Sequence, residues 1–316
     1  MSNKLISIVI PCYRSEKSIN IVIDEIEQVV AIRDGFDVEI ICVNDHSPDH
    51  VWDVLKERVV RDAKVIAVDL ARNFGQHAAL MAGYRQAKGD YIFSLDDDGE
   101  APVDAIYQAI DKLEEGNYDV IIGAFDHKNS ASLFRGLGSF MNERMARWLA
   151  EKPADLSLST FRLMRPFVKD EICRYQGCYP YTSGLLFRTT LNCANIPVKH
   201  RKRLEGRSGY TVKKLLMLWL NGFTAFSVKP LRLASLMGFV FSCIGFLYAL
   251  YCIVQKVVNP NLQMGYASMM SALLIIGGML MLMLGLIGEY IGRIYICLNN
   301  SPQTVVREII GQKIVK

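Results

Sequence analysis

A chain of 316 residues suffices for one large α/β domain and a small appendix, and a formal net charge of +4 is too mild for a nucleic-acid binder. Hydrophobic residues make up 51%, unevenly spread: charges are common up to about Arg232 and then nearly vanish until Glu289. This predicts a catalytic or binding domain that lives in water, followed by a membrane segment.

The cysteines stand apart, with no CxxC pair and no zinc-like ligand set, which argues against structural zinc or a disulfide framework and fits a reducing cytosol. Met1 to Pro11 is one short β-type run without a basic n-region or a long apolar h-region. No signal peptide is expected, and the N-terminal domain is placed on the cytoplasmic side.

In chain order, Leu5 to Ile10 reads as a strand, and Ser18 to Ile32 has the helical spacing Ile19, Val22, Ile23, Ile26, Val30. Strand and helix then alternate: Val38 to Val43, Val51 to Val60, Val65 to Val68, Gln76 to Ala87, Tyr91 to Leu95, Ala105 to Glu114 and Val120 to Ile122. Such alternation implies a mostly parallel sheet with helices on both faces, and ligands then bind outside the carboxyl ends of the strands. Residues 128 to 215 are less regular and are expected to hold the acceptor side of the site. The expected domains are a catalytic domain over 1–212, an amphipathic interfacial helix over 213–228, and a membrane segment over 229–298. A cytoplasmic tail over 299–316 completes the chain.

Two apolar stretches, Leu233 to Gln255 and Val257 to Gly288, carry no charge. Each can cross a hydrocarbon layer of about 30 Å with spans near 233–255 and 266–288. Lys229 and Arg232 precede the first, Arg293 follows the second, and the turn around Asn259-Pro260-Asn261 has only Lys256 nearby. The excess of cations at the outer ends puts both in the cytoplasm.

The chemistry concentrates at strand ends. Asp96-Asp97-Asp98-Gly99-Glu100 follows the strand Tyr91 to Leu95. Three carboxylates in a row repel unless a cation sits among them, and Mg²⁺ or Mn²⁺ bridges carboxylates to substrate phosphates. In an extended segment Asp96 and Asp98 would point to one side, with Glu100 as a third oxygen ligand. The bland alternative is a solvated acidic turn. Asp45, ending the second strand, can accept hydrogen bonds from a base or ribose, while Ser47 or Asp49 caps the next helix. Pro11, Tyr13 and Glu16 close the first strand, with Pro11 ending the ladder and Tyr13 placed to lie against a base. His77 is read as structural or as a contact beside the site, not as a general base. No G-x-G-x-x-G follows the first strand, which excludes a dinucleotide-dependent oxidoreductase.

Together these segments resemble family 2 glycosyltransferases of the GT-A fold, in the polyprenyl-phosphate (bactoprenol or dolichyl) branch with a two-helix anchor. The resemblance is carried by "SIVIPCYRSEKSI", "VNDHSPD", "RNFGQHAALMAGYRQAKGDYIFSLDDDGEAP", "HRKRLEGRSGY", "FSVKPLRLASLMG" and "GLIGEYIGRIY". It implies a Rossmann-like α/β catalytic domain plus a C-terminal transmembrane hairpin. The implied activity is inverting transfer of a sugar from a nucleotide-sugar, by default UDP-linked, to undecaprenyl or dolichyl phosphate. Pro11, Tyr13, Glu16, Asp45, Asp96 and Asp97 are the implied donor contacts; Asp96, Asp98 and Glu100 the metal ligands. Arg203 would hold the acceptor phosphate, with Ser208 and Tyr210 nearby, and Arg135, in the segment after the acidic motif, is read as a second phosphate contact alongside Ser208. Relatives carry an acid four residues before Phe161; here that position is Ser157, and Asp155 is the substitute. Asp98, Arg203 and Asp155 are thus the expected catalytic residues. The resemblance further implies a homotetramer, a small membrane flippase as partner, and a multi-pass place in the inner membrane serving cell-surface glycan (lipopolysaccharide or O-antigen) modification. A processive polysaccharide synthase is disfavoured by the absence of Q-x-x-R-W. A non-catalytic scaffold of a flippase complex would not need the acidic cluster.

Overall fold

The computed structural model describes residues 3–125, 156–199, 201, 229–258, 265–299 and 301–311. The chain divides into two compact units, Met1–Thr211 with Ser301–Lys316, and Val212–Asn300.

The first unit opens with β1 (Lys4–Cys12), α1 (Ile19–Val30), β2 (Phe36–Asn44), α2 (Val51–Arg61), β3 (Val65–Leu70), α3 (Gln76–Gln86), β4 (Tyr91–Ser94), α4 (Ala105–Glu115) and β5 (Val120–Phe125). It continues with β6 (Arg162–Met164), α5 (Pro166–Cys173), α6 (Thr182–Thr189) and β7 (Cys193–Val198), and closes with β8 (Val306–Ile310). One eight-stranded sheet results, in the order β7-β5-β6-β4-β1-β2-β3-β8. β6 runs antiparallel to β4 and β5, β8 runs antiparallel to β3, and the remaining pairings are parallel.

Side-chain alternation explains the layers. Ile6, Ile8 and Ile10 of β1 enter one core with Ile19, Ile23 and Ile26 of α1, Leu55 of α2 and Ile106 of α4. Val9 turns to the other face, with Val43, Leu80 and Tyr84, Val168 of α5 and Leu186 of α6. Each fully buried Ile contributes about 1.5–3 kcal/mol relative to exposure. On the second face α3 comes so close to the sheet that a Cβ on Gly83 would overlap Val9 and press on Val43.

From β1 the chain steps outward through β2 to β3, then returns to lay β4 on the opposite side of β1. The order therefore reverses between β1 and β4, and a crevice opens at their carboxyl ends. β1 pairs with β4 only from Ile6 to Val9 but with β2 as far as Cys12. Pro11 thus lies beyond the ladder on the crevice side, while the β2 side continues through Pro11↔Val43.

Of the expected tail, residues 306–310 are the strand β8, which covers the β3 edge. Gly311 ends it at φ 85, where a Cβ would collide with the Val65 carbonyl oxygen.

In the second unit α7 (Lys229–Val258) and α8 (Tyr266–Leu298) have 30 and 33 residues. Within α8, Ile275–Leu298 is long and apolar enough to cross a membrane; in α7 the apolar stretch Ala234–Tyr248 is shorter. Large apolar side chains such as Phe239, Leu247, Ile276 and Leu284 are exposed along both. The expected interfacial helix over 213–228 and the turn at 259–261 lie outside the described residues.

Candidate active site

Asp96, Asp97 and Asp98 leave β4 at the mouth of this crevice. The segment is a turn rather than an extended strand, with Gly99 at φ 71. The alternation argument for Asp96 and Asp98 therefore does not apply, and the turn sends the three side chains to different partners. Asp96 accepts a hydrogen bond from Gln76 Nε2 at 2.7 Å. Asp97 turns back to β1 and accepts from the Tyr13 N–H at 2.9 Å, while its carbonyl accepts from Ser18 Oγ at 2.7 Å. Asp98 accepts from the Glu100 N–H at 3.0 Å. Burial, then Asp98 and Asp97, push Asp96 up to about 7; burial pushes Asp97 up to about 6.

Among the described residues no group of three or more His, Cys, Asp or Glu side chains is gathered to hold a metal ion. Magnesium-type sites commonly use only one or two carboxylates and take their remaining oxygens from substrate phosphates and water. Asp96 with Asp98 fits that pattern, because a cation between them would offset both the burial and the neighbouring charge that raise Asp96.

The loops after β1 and β2 brace each other. Asp49 accepts from the Glu16 N–H at 3.0 Å, and Glu16 accepts from the His50 N–H at 3.0 Å. Ser47 Oγ accepts from the Arg14 N–H at 2.8 Å and donates to Asp49 at 2.5 Å. Arg14 and His46 both adopt positive φ, 60 and 50, a strain that marks shaped loops. The N-cap of α2 is His50, without a side-chain cap bond, and Asp49 reaches the Val51 N–H only at 3.4 Å. Asp45 is 4% exposed, and its two oxygens accept from the Phe74 and Gly75 N–H groups at 2.7 and 2.8 Å. Burial raises its pKa, and those two N–H groups oppose the rise. It therefore ties the β2 end to the loop before α3 instead of standing free. Tyr13 is 45% exposed beside the crevice, with the Arg14 guanidinium 5.6 Å from its ring centroid.

Two residues not singled out in the sequence reading join the site. Gln76, the first residue of α3, reaches Asp96 and, at 3.4 Å, Thr160. Arg162 on β6 is buried and donates to the Ser159 carbonyl, Thr182 Oγ1 and Ser183 Oγ. Its positive charge lowers the pKa of both Asp96 and His77. A glutamine opening a helix beside the acidic strand end was the one available sequence signal. His77 pairs with Thr182 Oγ1 at 3.0 Å and packs edge-on against Tyr181. Ser157 is held through its backbone by Asn195 at 2.7 Å. Of the basic run, Arg201 donates its N–H to the Glu100 carbonyl at 3.1 Å and pairs with Glu25 and Asp104. Arg135, Asp155, Arg203, Ser208 and Tyr210 lie outside the described residues.

A mostly parallel sheet with a carboxylate cluster at its reversal point and a braced loop beside it defines a transferase of the GT-A class. The same fold occurs in glucosyl-3-phosphoglycerate synthase from Mycobacterium tuberculosis, solved in complex with Mn²⁺, UDP and glucosyl-3-phosphoglycerate, at a TM-score of 0.52 and 16% identity over 70% of this chain and 79% of that one. The chain belongs to glycosyltransferase family 2, whose pattern matches residues 7–178, and a GtrB C-terminal hairpin pattern matches residues 229–294. It is 32% identical over 306 residues to the uncharacterized glycosyltransferase YkcC of Bacillus subtilis, covering 96% of this chain and 94% of that protein. It is 31% identical over 319 residues to an undecaprenyl-phosphate 4-deoxy-4-formamido-L-arabinose transferase of Proteus mirabilis, covering 98% and 94%. It is 28% identical over 303 residues to the SfII prophage-derived bactoprenol glucosyl transferase of Shigella flexneri, covering 96% and 97%.

Proposed function

We propose that this glycosyltransferase moves a sugar from a nucleotide-sugar, by default UDP-linked, to a polyprenyl phosphate at the cytoplasmic face of a membrane. The observation that carries the donor side is the acidic turn Asp96–Asp98 at the β1/β4 crevice, tied to the Tyr13 loop through Asp97. The end-to-end likeness to bactoprenol and undecaprenyl-phosphate transferases supports the acceptor.

Tyr13 offers a face for the base, and the braced Arg14–Ser47–Asp49–Glu16 loops present backbone and side chains to the nucleoside. Asp96 and Asp98 would hold Mg²⁺ or Mn²⁺, which when bound supplies Lewis-acid neutralisation of the departing diphosphate. Gln76 fixes the Asp96 carboxylate, and Arg162 behind it offsets part of the local negative charge. The acceptor needs little activation: a phosphate monoester has its second pKa near 6 and is largely dianionic at neutral pH. Its oxygen attacks the anomeric carbon, the bond to the nucleotide diphosphate breaks, and the centre inverts. Guanidinium groups match phosphate geometry, and Arg203, Arg135 and Ser208 are assigned to the acceptor, with Asp155 as an auxiliary acid. The helices α7 and α8 are the anchor, crossing the cell's inner membrane twice. A homotetramer and a small flippase partner belong to the same reading.

The test uses purified full-length protein in detergent with a panel of nucleotide-sugars, undecaprenyl phosphate, and Mg²⁺ or Mn²⁺, the glycolipid being read by mass spectrometry. One donor should give a metal-dependent product. Asp98→Asn should lower turnover by about 100-fold or more. Its thermal midpoint without metal should be no lower than wild type, because the substitution removes a repulsion. No product with any donor, or full activity in D98N, would refute the assignment.

A further inference from the structure

We propose that Arg307, on the strand that follows the two long helices, is a positioning residue for the donor-nucleotide loop. The inference rests on the glycosyltransferase reading above and adds a residue nearly a full chain length from the loop it controls.

The pairing of β3 with β8 is broken by a bulge. Asp69 faces Glu308 and Leu70 faces Val306, so Arg307 is the extra residue with no partner across the ladder. A bulge re-aims a side chain, and such irregularities concentrate beside active sites. Here the guanidinium is turned onto Asp69, 3.1 Å from Oδ2, and its second nitrogen donates to the Ala71 carbonyl at 3.0 Å. The neighbouring Val305 carbonyl accepts from the Ala71 N–H at 2.8 Å, which fixes the approach.

Asp69 is 2% exposed. Its other oxygen, Oδ1, accepts from Asn44 Nδ2 at 2.7 Å. Asn44 is the last residue of β2, and its own side-chain oxygen accepts from the Ser47 N–H at 3.0 Å. Ser47 in turn holds the Arg14 N–H and Asp49. A continuous relay therefore runs from Arg307 through Asp69 and Asn44 to the turn that joins the two nucleotide loops. The relay has a direction. Asn44 must present its NH₂ to Asp69 to leave its oxygen for Ser47, and a charged acceptor fixed by Arg307 selects that orientation. Without Arg307, the buried carboxylate loses the guanidinium in direct contact with it. Its pull on Asn44 then competes with rearrangement of the whole turn. An ordinary edge strand would need only backbone pairing and apolar contact to cover β3. A bulged arginine reaching a buried acid is more than that task requires.

The experiment measures nucleotide binding, not turnover. Full-length wild type in detergent is titrated calorimetrically with UDP, GDP and dTDP in the presence of Mn²⁺, and the tightest binder is carried forward. Arg307→Ala should weaken that nucleotide by about tenfold in the folded fraction, the effect of losing a charge-assisted hydrogen bond that orders a site. Arg307→Lys should recover part of the loss. Glu308→Ala, on the same strand but outside the relay, should bind as wild type does. A residue that merely stabilised the edge would lower the thermal midpoint and leave the affinity of folded protein unchanged. Affinity within twofold of wild type in R307A would overturn the proposal; should that chain fail to fold, Arg307→Gln decides by the same criterion. If wild type binds none of the three nucleotides, the donor reading itself falls and this inference with it.

Discussion

Three consecutive aspartates at a half-buried strand end cannot all ionise cheaply, and the turn settles the conflict by giving them different neighbours. Asp97 joins β4 to β1, Asp96 takes Gln76, and Asp98 takes the Glu100 N–H. Behind them His77 stays neutral. Burial, then the charge of Arg162, lowers its pKa from 6.5 to about 4. Thr182 Oγ1 accepts from Arg162 and pairs with His77 Nδ1 at 3.0 Å, which holds the ring in place. The unfolded chain protonates His77 below 6.5, whereas the folded chain waits until about 4. In that window the unfolded state binds more protons, so stability contributed at this site falls as pH falls. Asp96 and Asp97 act in the opposite sense, since their raised pKa values let the folded state take up protons first. The informative quantity is thus a difference between variants, measured without divalent metal. His77→Asn should lose less of its thermal midpoint than wild type between pH 6.5 and 4. Parallel pH profiles for the two proteins would refute the assignment.

At the scale of elements, close contact between α3 and the sheet places Gln76 next to Asp96, and Gly83 allows that contact. A methyl group there meets Val9 and Val43. Gly83→Ala should destabilise the first unit by about 1–3 kcal/mol, the usual range for overpacking, read as a lower urea midpoint. A midpoint equal to wild type would show that the sheet yields freely under α3. The elements through β5 were legible in the sequence because their apolar spacing is regular, from Ile19 to Val30 in α1 as in the β-branched run of β1. The later ones were not. β6 is three residues long and begins with a buried arginine, too short for alternation to register. β7 reads Cys-Ala-Asn-Ile-Pro-Val, with polar and proline positions that suggest a loop. β8 has strand-forming residues, but only a vacant β3 edge gives them a partner. The site divides the same way. Asp96 to Asp98 and Tyr13 announce themselves by ending strands. Asp69 and Arg307 stand 238 positions apart, and no local pattern relates them.

For the whole molecule, the return of the chain to its first sheet constrains how it can meet a membrane. β3 and β8 are paired in one sheet, so they occupy one compartment. The chain leaves that unit after Thr211 and re-enters it at Ser301. Any crossing made between those points must be matched by a second, whatever the sequence of the segments that cross. Among the described residues Ile275–Leu298 is the stretch long and apolar enough to cross by itself, yet a single span would carry β8 to the far side and strip it from β3. Backbone groups on the exposed β3 edge would then lose their partners and the buried Asp69 its ion pair with Arg307, each a destabilising change. On the proposed reading, in which Ile275–Leu298 crosses, the pairing calls for a second crossing, and α7 is assigned to it although its apolar stretch Ala234–Tyr248 is the shorter one. At roughly 1.5 Å per residue the full α7 reaches about 45 Å, ample for a layer of about 30 Å even when tilted. The expectation is specific. In intact cells, a cysteine introduced at Asn261 should react with a membrane-impermeant maleimide from outside. One introduced at Glu308 should react only after the membrane is opened. Labelling of both from outside, or of neither, would contradict a hairpin whose two ends are held by one sheet.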